Sequence, residues 1–170
     1  KREHLLRIVN NVSGSGIVYV RTREKSETIA QFLQQNGITA DFYHGGLGFL
    51  SRNLKQEQWI NGQNRIMVAT NAFGMGIDKA DVRFVIHYDI CDSLEAYYQE
   101  AGRAGRDGKP AYAVLLVSDD DPSRAGQRLR LEFPPLDTIR AVYEKLFNYL
   151  QVAIGEGKNR SFSFNIHDFA

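Results

Sequence analysis

Two arginines, Arg103 and Arg106, stand three residues apart in the stretch Gln99-Glu100-Ala101-Gly102-Arg103-Ala104-Gly105-Arg106-Asp107-Gly108, and each directly follows a glycine. Guanidinium keeps its charge and presents a planar fork of donors that matches phosphate oxygens. Glycine lets the backbone come close to a ligand. Arg103 and Arg106 together can neutralise charge that builds on a transferring phosphoryl group, an effect worth about 10³–10⁵ in rate where an arginine finger supplies it. The same spacing also fits a solvated turn, since Asp107-Gly108 is a common turn pair.

Three further stretches carry residue types that meet phosphates. Ala69 to Asp78 follows an apolar run and is dense in small residues; Thr70 can hydrogen-bond a nucleic-acid phosphate and Asp78 can accept from a ribose hydroxyl. It lacks the third glycine of the dinucleotide fingerprint. Val20-Arg21-Thr22-Arg23 joins a strand-like run to a helix start, where backbone amides and flanking arginines favour an anion. In Tyr43-His44-Gly45-Gly46-Leu47, His44 is either a phosphate contact or a structural loop histidine. The chain has no Gly-x-x-x-x-Gly-Lys-Ser/Thr loop and no Asp-Glu-x-His box, so a nucleoside triphosphate and its magnesium have no cradle of the usual kind.

These stretches need a scaffold, and the 170 residues suit one domain with a small appendage. Hydrophobic residues make up 43% and charged residues 24%, enough for a packed core. With 21 basic and 20 acidic residues the formal charge is +1, so any nucleic-acid surface must come from local clustering. The one cysteine, Cys91, excludes an internal disulfide and a multi-cysteine zinc site, and it reads as structural. No apolar run approaches the ~18 residues of a membrane span. The start, Lys1-Arg2-Glu3-His4, reads as a cut from something longer.

Periodicity predicts a helix over 3–12, a strand at 17–20, a helix capped by Thr22 and stopped by Gly37, and a strand at 40–44. A helix capped by Ser51 and ended near Gly62 follows, then strands at 66–69 and 84–88, a helix capped by Ser93, and a strand at 112–117. The alternation argues for an α/β fold with a parallel sheet and helices on both faces. In such folds functional loops lie at the carboxyl ends of the strands. Arg21–Arg23, His44–Gly46, Thr70–Asp78 and the stretch 102–108 are all expected there. After Ser118 a polar, basic segment leads to a helix opened by Pro134-Pro135, with Pro135 at its first position, Leu136, Ile139, Val142, Tyr143 and Leu146 on one face, and Gly155 and Gly157 ending the run.

Taken in order, the four stretches resemble the second RecA-like lobe of superfamily 2 helicases, and within them the RecQ family. Gly16 to Arg23 looks like helicase motif IV, Tyr43 to Leu47 like motif IVa, Ala69 to Asp89 like motif V with its extension, and Tyr97 to Gly108 like motif VI. The Phe-Gly-Met-Gly-Ile and Tyr-Tyr-Gln-Glu-x-Gly-Arg-Ala-Gly-Arg-Asp-Gly forms point to RecQ rather than to DEAD-box enzymes. The resemblance covers residues 1–118 and leaves 119–170 as a helical accessory segment.

The resemblance implies a RecA-like fold and an intracellular ATP-dependent DNA helicase of 3′ to 5′ direction. It matches Arg106 to the arginine finger, with Arg103 beside it, and Gln99, Gly76 and Asp78 to positions facing the nucleotide. Thr22, Arg23, His44 and Thr70 match positions near the tracked strand. ATP and Mg²⁺ would be held chiefly by the first RecA-like lobe of the same polypeptide, and DNA, single-stranded and duplex, would be the other partner. This chain alone is expected to be inactive. RecQ proteins usually follow this lobe with a four-cysteine zinc subdomain; residues 119–170 contain no cysteine, so no zinc is expected, and Cys91 stands where many relatives have proline. A helicase-like module without catalysis, or an RNA-directed enzyme, are the alternatives.

Overall fold

Short β-branched runs separated by glycine and polar turns form a five-stranded, all-parallel sheet in the computed structural model, which describes residues 1–74, 77–153 and 155–169. In chain order the elements are α1 (Arg2–Asn11), β1 (Ser15–Tyr19), α2 (Arg23–Gln35), β2 (Ala40–Tyr43), α3 (Phe49–Ile60) and β3 (Ile66–Ala69). They continue with β4 (Val82–His87), α4 (Leu94–Ala101), β5 (Tyr112–Leu115), α5 (Asp121–Glu132), α6 (Leu136–Tyr149) and α7 (Ile166–Phe169). The strand order is β2-β3-β1-β4-β5. From β1 the chain goes to the edge strand β2, returns to β3 beside β1, then crosses over β1 to β4 and on to the other edge, β5.

Alternation along the central strands divides the core in two. Val18, Ile66, Val68, Phe84 and Ile86 face one way and pack with Leu5 and Val9 of α1 and Ile29 and Leu33 of α2. Ile17, Met67, Ala69, Val82 and Val85 face the other way, toward Trp59 of α3, Phe73 and Ile77. Period-2 alternation with apolar residues at both parities is what a sheet covered on both faces requires. The expected α/β class and its two helical layers are thus present. Trp59 is fully buried and its Nε1–H donates to the Gly16 carbonyl at 3.3 Å, so the indole has a partner for its polar edge.

The helix boundaries follow local chemistry. Thr22 accepts from the Lys25 amide at 3.2 Å and Ser93 from the Ala96 amide at 3.1 Å, each capping its helix. Gly37 takes φ +77° and closes α2 through its own N–H to Gln34 O and the Ile38 N–H to Leu33 O. Arg65 ties the start of β3 to the α1–β1 turn: Nε donates to Gly14 O at 2.8 Å, and Nη2 to Val9 O at 2.7 Å and Val12 O at 2.5 Å.

Several expectations are corrected. Helix α3 begins at Phe49 with Gly48 as N-cap, so Ser51 lies inside the helix. Pro135 is the N-cap of α6 rather than its first helical residue, and α6 ends at Tyr149, with Gln151 at φ +54°, before the glycines. The polar stretch after Ser118 is itself helical, as α5. The chain divides into two compact units, Lys1–Asp121 and Pro122–Ala170. No helix among the described residues is long and apolar enough to cross a membrane.

Candidate functional site

The described residues of the β3–β4 connection, 70–74 at the carboxyl end of β3 and 77–81 before the amino end of β4, contain no helix, and we call the connection the strap. Phe73 nails it down: the ring is fully buried, 4.8 Å from Tyr43 and 5.4 Å from Trp59. The Tyr19 hydroxyl donates to the Phe73 carbonyl at 2.9 Å, and burial pushes that hydroxyl well above the ordinary phenol range, so it stays a donor. At its first residue the Thr70 N–H donates to Tyr43 O at 3.1 Å. Gly76, expected to face a nucleotide, lies outside the described residues.

Arg103 and Arg106 both reach this strap. Arg103 Nη1 donates to Gly74 O at 2.5 Å. Arg106 Nη1 donates to Ile77 O at 3.1 Å and to Asp78 Oδ1 at 3.2 Å. The stretch that carries them is pinned to the start of β4, with the Gly105 N–H on Val82 O at 2.9 Å and the Asp107 N–H on Ala80 O at 3.2 Å. Residues 102–108 therefore sit by the amino end of β4, not among the carboxyl-end loops as expected. A helix that links parallel strands runs back toward their amino ends, and this stretch follows α4. Asp107 is held in turn by Arg83 Nη2 at 2.6 Å, and that hydrogen bond keeps its carboxyl below the usual range.

The cluster retains capacity for an anion. Arg106 is 39% exposed on its side chain and Asp78 is 88% exposed. Among the described residues the Nε–H of Arg103 is buried with no hydrogen-bond partner. Gln99 is exposed on α4. These residues fit a polyphosphate group approached from outside, whereas Asp78, engaged by Arg106, is not arranged as a metal cradle.

A second group lies at the carboxyl ends of β1, β2 and β3, which are neighbours in the sheet. Thr22 and Arg23 are exposed and Thr70 is 7% exposed. Arg23 lies against the β2–α3 turn: a methyl group on Gly46 would come within 2.8 Å of its Nη1. His44 is placed differently from the expectation of a phosphate contact. It is 5% exposed, its Nε2 is 3.0 Å from Glu27 Oε1, its Nδ1 accepts from the Gly46 N–H at 3.2 Å, and it stacks on Phe42. With both ring nitrogens engaged, His44 shapes the turn beneath Arg23.

Two other contacts leave no signal in the sequence. Asp89 bridges the carboxyl ends of β4 and β1, accepting from the Arg21 N–H at 3.1 Å and from Lys25 Nζ at 2.8 Å. His87, fully buried, pairs through Nε2 with Glu100 Oε2 at 3.0 Å. Partners this far apart in the chain leave no local signal; the pairing of β1 with β4 brings Asp89 to Arg21, and the β4–α4 return brings Glu100 back to His87.

Residues 1–108 match the family model described as helicase conserved C-terminal domain. The chain is 46% identical over 128 residues to ATP-dependent DNA helicase Q5 of Rattus norvegicus, covering 75% of this chain and 13% of the relative. It is 49% identical over 114 residues to ATP-dependent DNA helicase RecQ of Bacillus subtilis, covering 67% and 19%. The chain thus spans less than a fifth of the length of either relative. Among solved structures, a DEAD box protein of Methanococcus jannaschii aligns over 77% of this chain and 36% of its own, with 27% identity and TM-score 0.66. The C-terminal domain of the DEAD-box protein Dbp5, at 23% identity and TM-score 0.61 over 78% of both chains, shares the fold.

Proposed function

This chain belongs to the RecQ-type superfamily 2 helicases, as their conserved C-terminal domain, and on that premise we propose that it is the second motor lobe of an ATP-dependent DNA helicase working in the 3′ to 5′ direction. The lobe occupies about residues 1–118, with 119–170 an accessory segment without the four-cysteine zinc scaffold. Its partners are the first RecA-like lobe of the same polypeptide and DNA.

The observation that carries this reading is the strap itself. One end, Thr70, stands beside Thr22 and Arg23 at the carboxyl edge of neighbouring strands. The other end, Ile77 and Asp78, is held by Arg106. Thr22, Arg23 and Thr70 grip backbone phosphates, contacts that position a strand but read no sequence. Arg106, with Arg103 and Gln99 beside it, presents its guanidinium to the γ-phosphate side of a nucleotide held by the first lobe. ATP hydrolysis supplies the energy of the cycle, and Mg²⁺ belongs with the first lobe. When Arg106 turns toward phosphate, its hold on Ile77 and Asp78 loosens. The lobe alone lacks a P-loop and does not turn over ATP.

The test is ATP hydrolysis by the intact protein with single-stranded DNA or RNA as activator, together with unwinding of duplexes bearing a 3′ or a 5′ tail. Stimulation by DNA and opening of the 3′-tailed duplex are expected. Stimulation by RNA alone, or no hydrolysis with either, would remove the reading.

A further inference from the structure

His87 ends β4, Cys91 lies in the turn that follows, and Glu100 sits on the last turn of α4. The return of the chain thus gathers three side chains of metal-ligating type, and one ligand atom from each lies within 4.8 Å of the other two. Glu100 Oε2 is 3.0 Å from His87 Nε2 and 3.8 Å from Cys91 Sγ. Tetrahedral zinc with the usual bond lengths has ligand-to-ligand edges of about 3.4 Å between nitrogen and oxygen and about 3.6 Å between sulfur and oxygen. These two edges lie within about half an ångström of those values, and the third, between His87 and Cys91, is bounded at 4.8 Å.

The surroundings favour a fixed site. The His87 side chain is 1% exposed and Glu100 14%. The His87 imidazole is held against Tyr19, with centroids 5.5 Å apart and planes at 17°, and against Tyr97 at 4.9 Å. Its orientation is therefore set before any ion arrives. His87, Cys91 and Glu100 line a cavity of about 90 Å³ that also touches Arg21 and Asn71. A cavity of that size and polarity takes water, and water can fill a fourth coordination position. Among the described residues His87 Nδ1 is buried without a hydrogen-bond partner, so the stacking against Tyr19 and Tyr97, not the acceptor a ligating histidine usually has, orients this ring.

We propose that His87, Cys91 and Glu100 form a zinc site with three protein ligands and one water. Binding releases the Cys91 thiol proton to solvent, and the thiolate and Glu100 carboxylate offset the two positive charges of the ion. This departs from the sequence reading, which gave Cys91 a structural role and expected no zinc. The site stands apart from the arginine cluster, yet Glu100 lies one helical turn before Arg103, so a seated ion would clamp the end of α4 to β4.

The experiment titrates Zn²⁺ and, separately, Co²⁺ into the metal-free chain, wild type against Cys91→Ala, with circular dichroism to check the fold. We expect one equivalent bound by wild type and the thiolate-to-cobalt charge-transfer absorption of a tetrahedral site. Affinity should fall at least tenfold in Cys91→Ala. Zinc should also slow alkylation of Cys91 in wild type, a readout that does not depend on the variant folding. No stoichiometric binding by wild type, equal binding by folded Cys91→Ala, or alkylation indifferent to zinc would each overturn the proposal. None of these readouts involves ATP hydrolysis, so the proposal stands or falls separately from the motor function.

Discussion

Arg103 donates to the Gly74 carbonyl at 2.5 Å, and a methyl group added to Gly74 would lie 2.5 Å from Arg103 Nη2. The bare Cα of Gly74 is what lets the guanidinium settle on the strap. Gly74→Ala should therefore displace Arg103 while leaving the fold largely intact, because the flexible end of the arginine can move. We expect a change in Tm of only a few degrees, consistent with about 1 kcal/mol, and a loss of DNA-stimulated ATP hydrolysis similar to that of Arg103→Ala. Full activity in Gly74→Ala would show that this contact does not matter to the motor.

Arg65 satisfies three carbonyls at the α1–β1 turn with one guanidinium. Charged donors to partly buried acceptors contribute more than neutral ones, and their removal leaves the acceptors unpaired. Arg65→Met should cost about 2–4 kcal/mol in urea unfolding. Arg65→Lys should recover only part of it, since an ammonium cannot reproduce the planar fork. A cost below about 0.5 kcal/mol would mean that water replaces the arginine without penalty.

Gly16 marks the closest approach in the sheet core. A Cβ there would sit 2.1 Å from the fully buried Phe84 ring. Something in the paired strands must shift to admit it, so Gly16→Ala should destabilise by about 1–3 kcal/mol through overpacking. The double variant Gly16→Ala/Phe84→Leu should recover part of that cost, as a double-mutant cycle will reveal.

Burial works against the Asp121 carboxylate, but hydrogen bonds from Lys1 and from Ser118 outweigh it and hold its pKa down to about 2. Since the folded value lies below the ordinary 3.8, the carboxylate stabilises the folded state fully above 3.8 and loses that contribution as pH falls toward about 2. Stability measured between about pH 5 and about pH 2 should decline more steeply in wild type than in Asp121→Asn. Parallel curves would show that the Lys1–Asp121 pair has no effect on folding.

Much of the lobe was legible because its signals are local. Thr22 and Ser93 cap their helices as expected, and the β-branched runs became strands. The start of α3 was hidden because Phe49 and Leu50, 68% and 82% exposed, blur the amphipathic pattern. Helix α5 was hidden by its polarity, which leaves no apolar face to read. In the site, contiguous stretches could be read but pairings could not. Arg103 and Gly74 are 29 residues apart, and no local pattern shows that they meet. Nor does the sequence show that both ring nitrogens of His44 are already engaged.

The proposed coupling of the arginine cluster to the strap gives Arg106 the central part, and the most direct measurement is DNA-stimulated ATP hydrolysis by the intact protein, wild type against Arg106→Ala, with nucleotide affinity measured alongside. We expect the rate to fall by about 10² or more while nucleotide binding is retained, since an arginine finger acts on the transition state. An unchanged rate would mean that Arg106 serves only to hold Ile77 and Asp78, and that the lobe contributes no catalytic group.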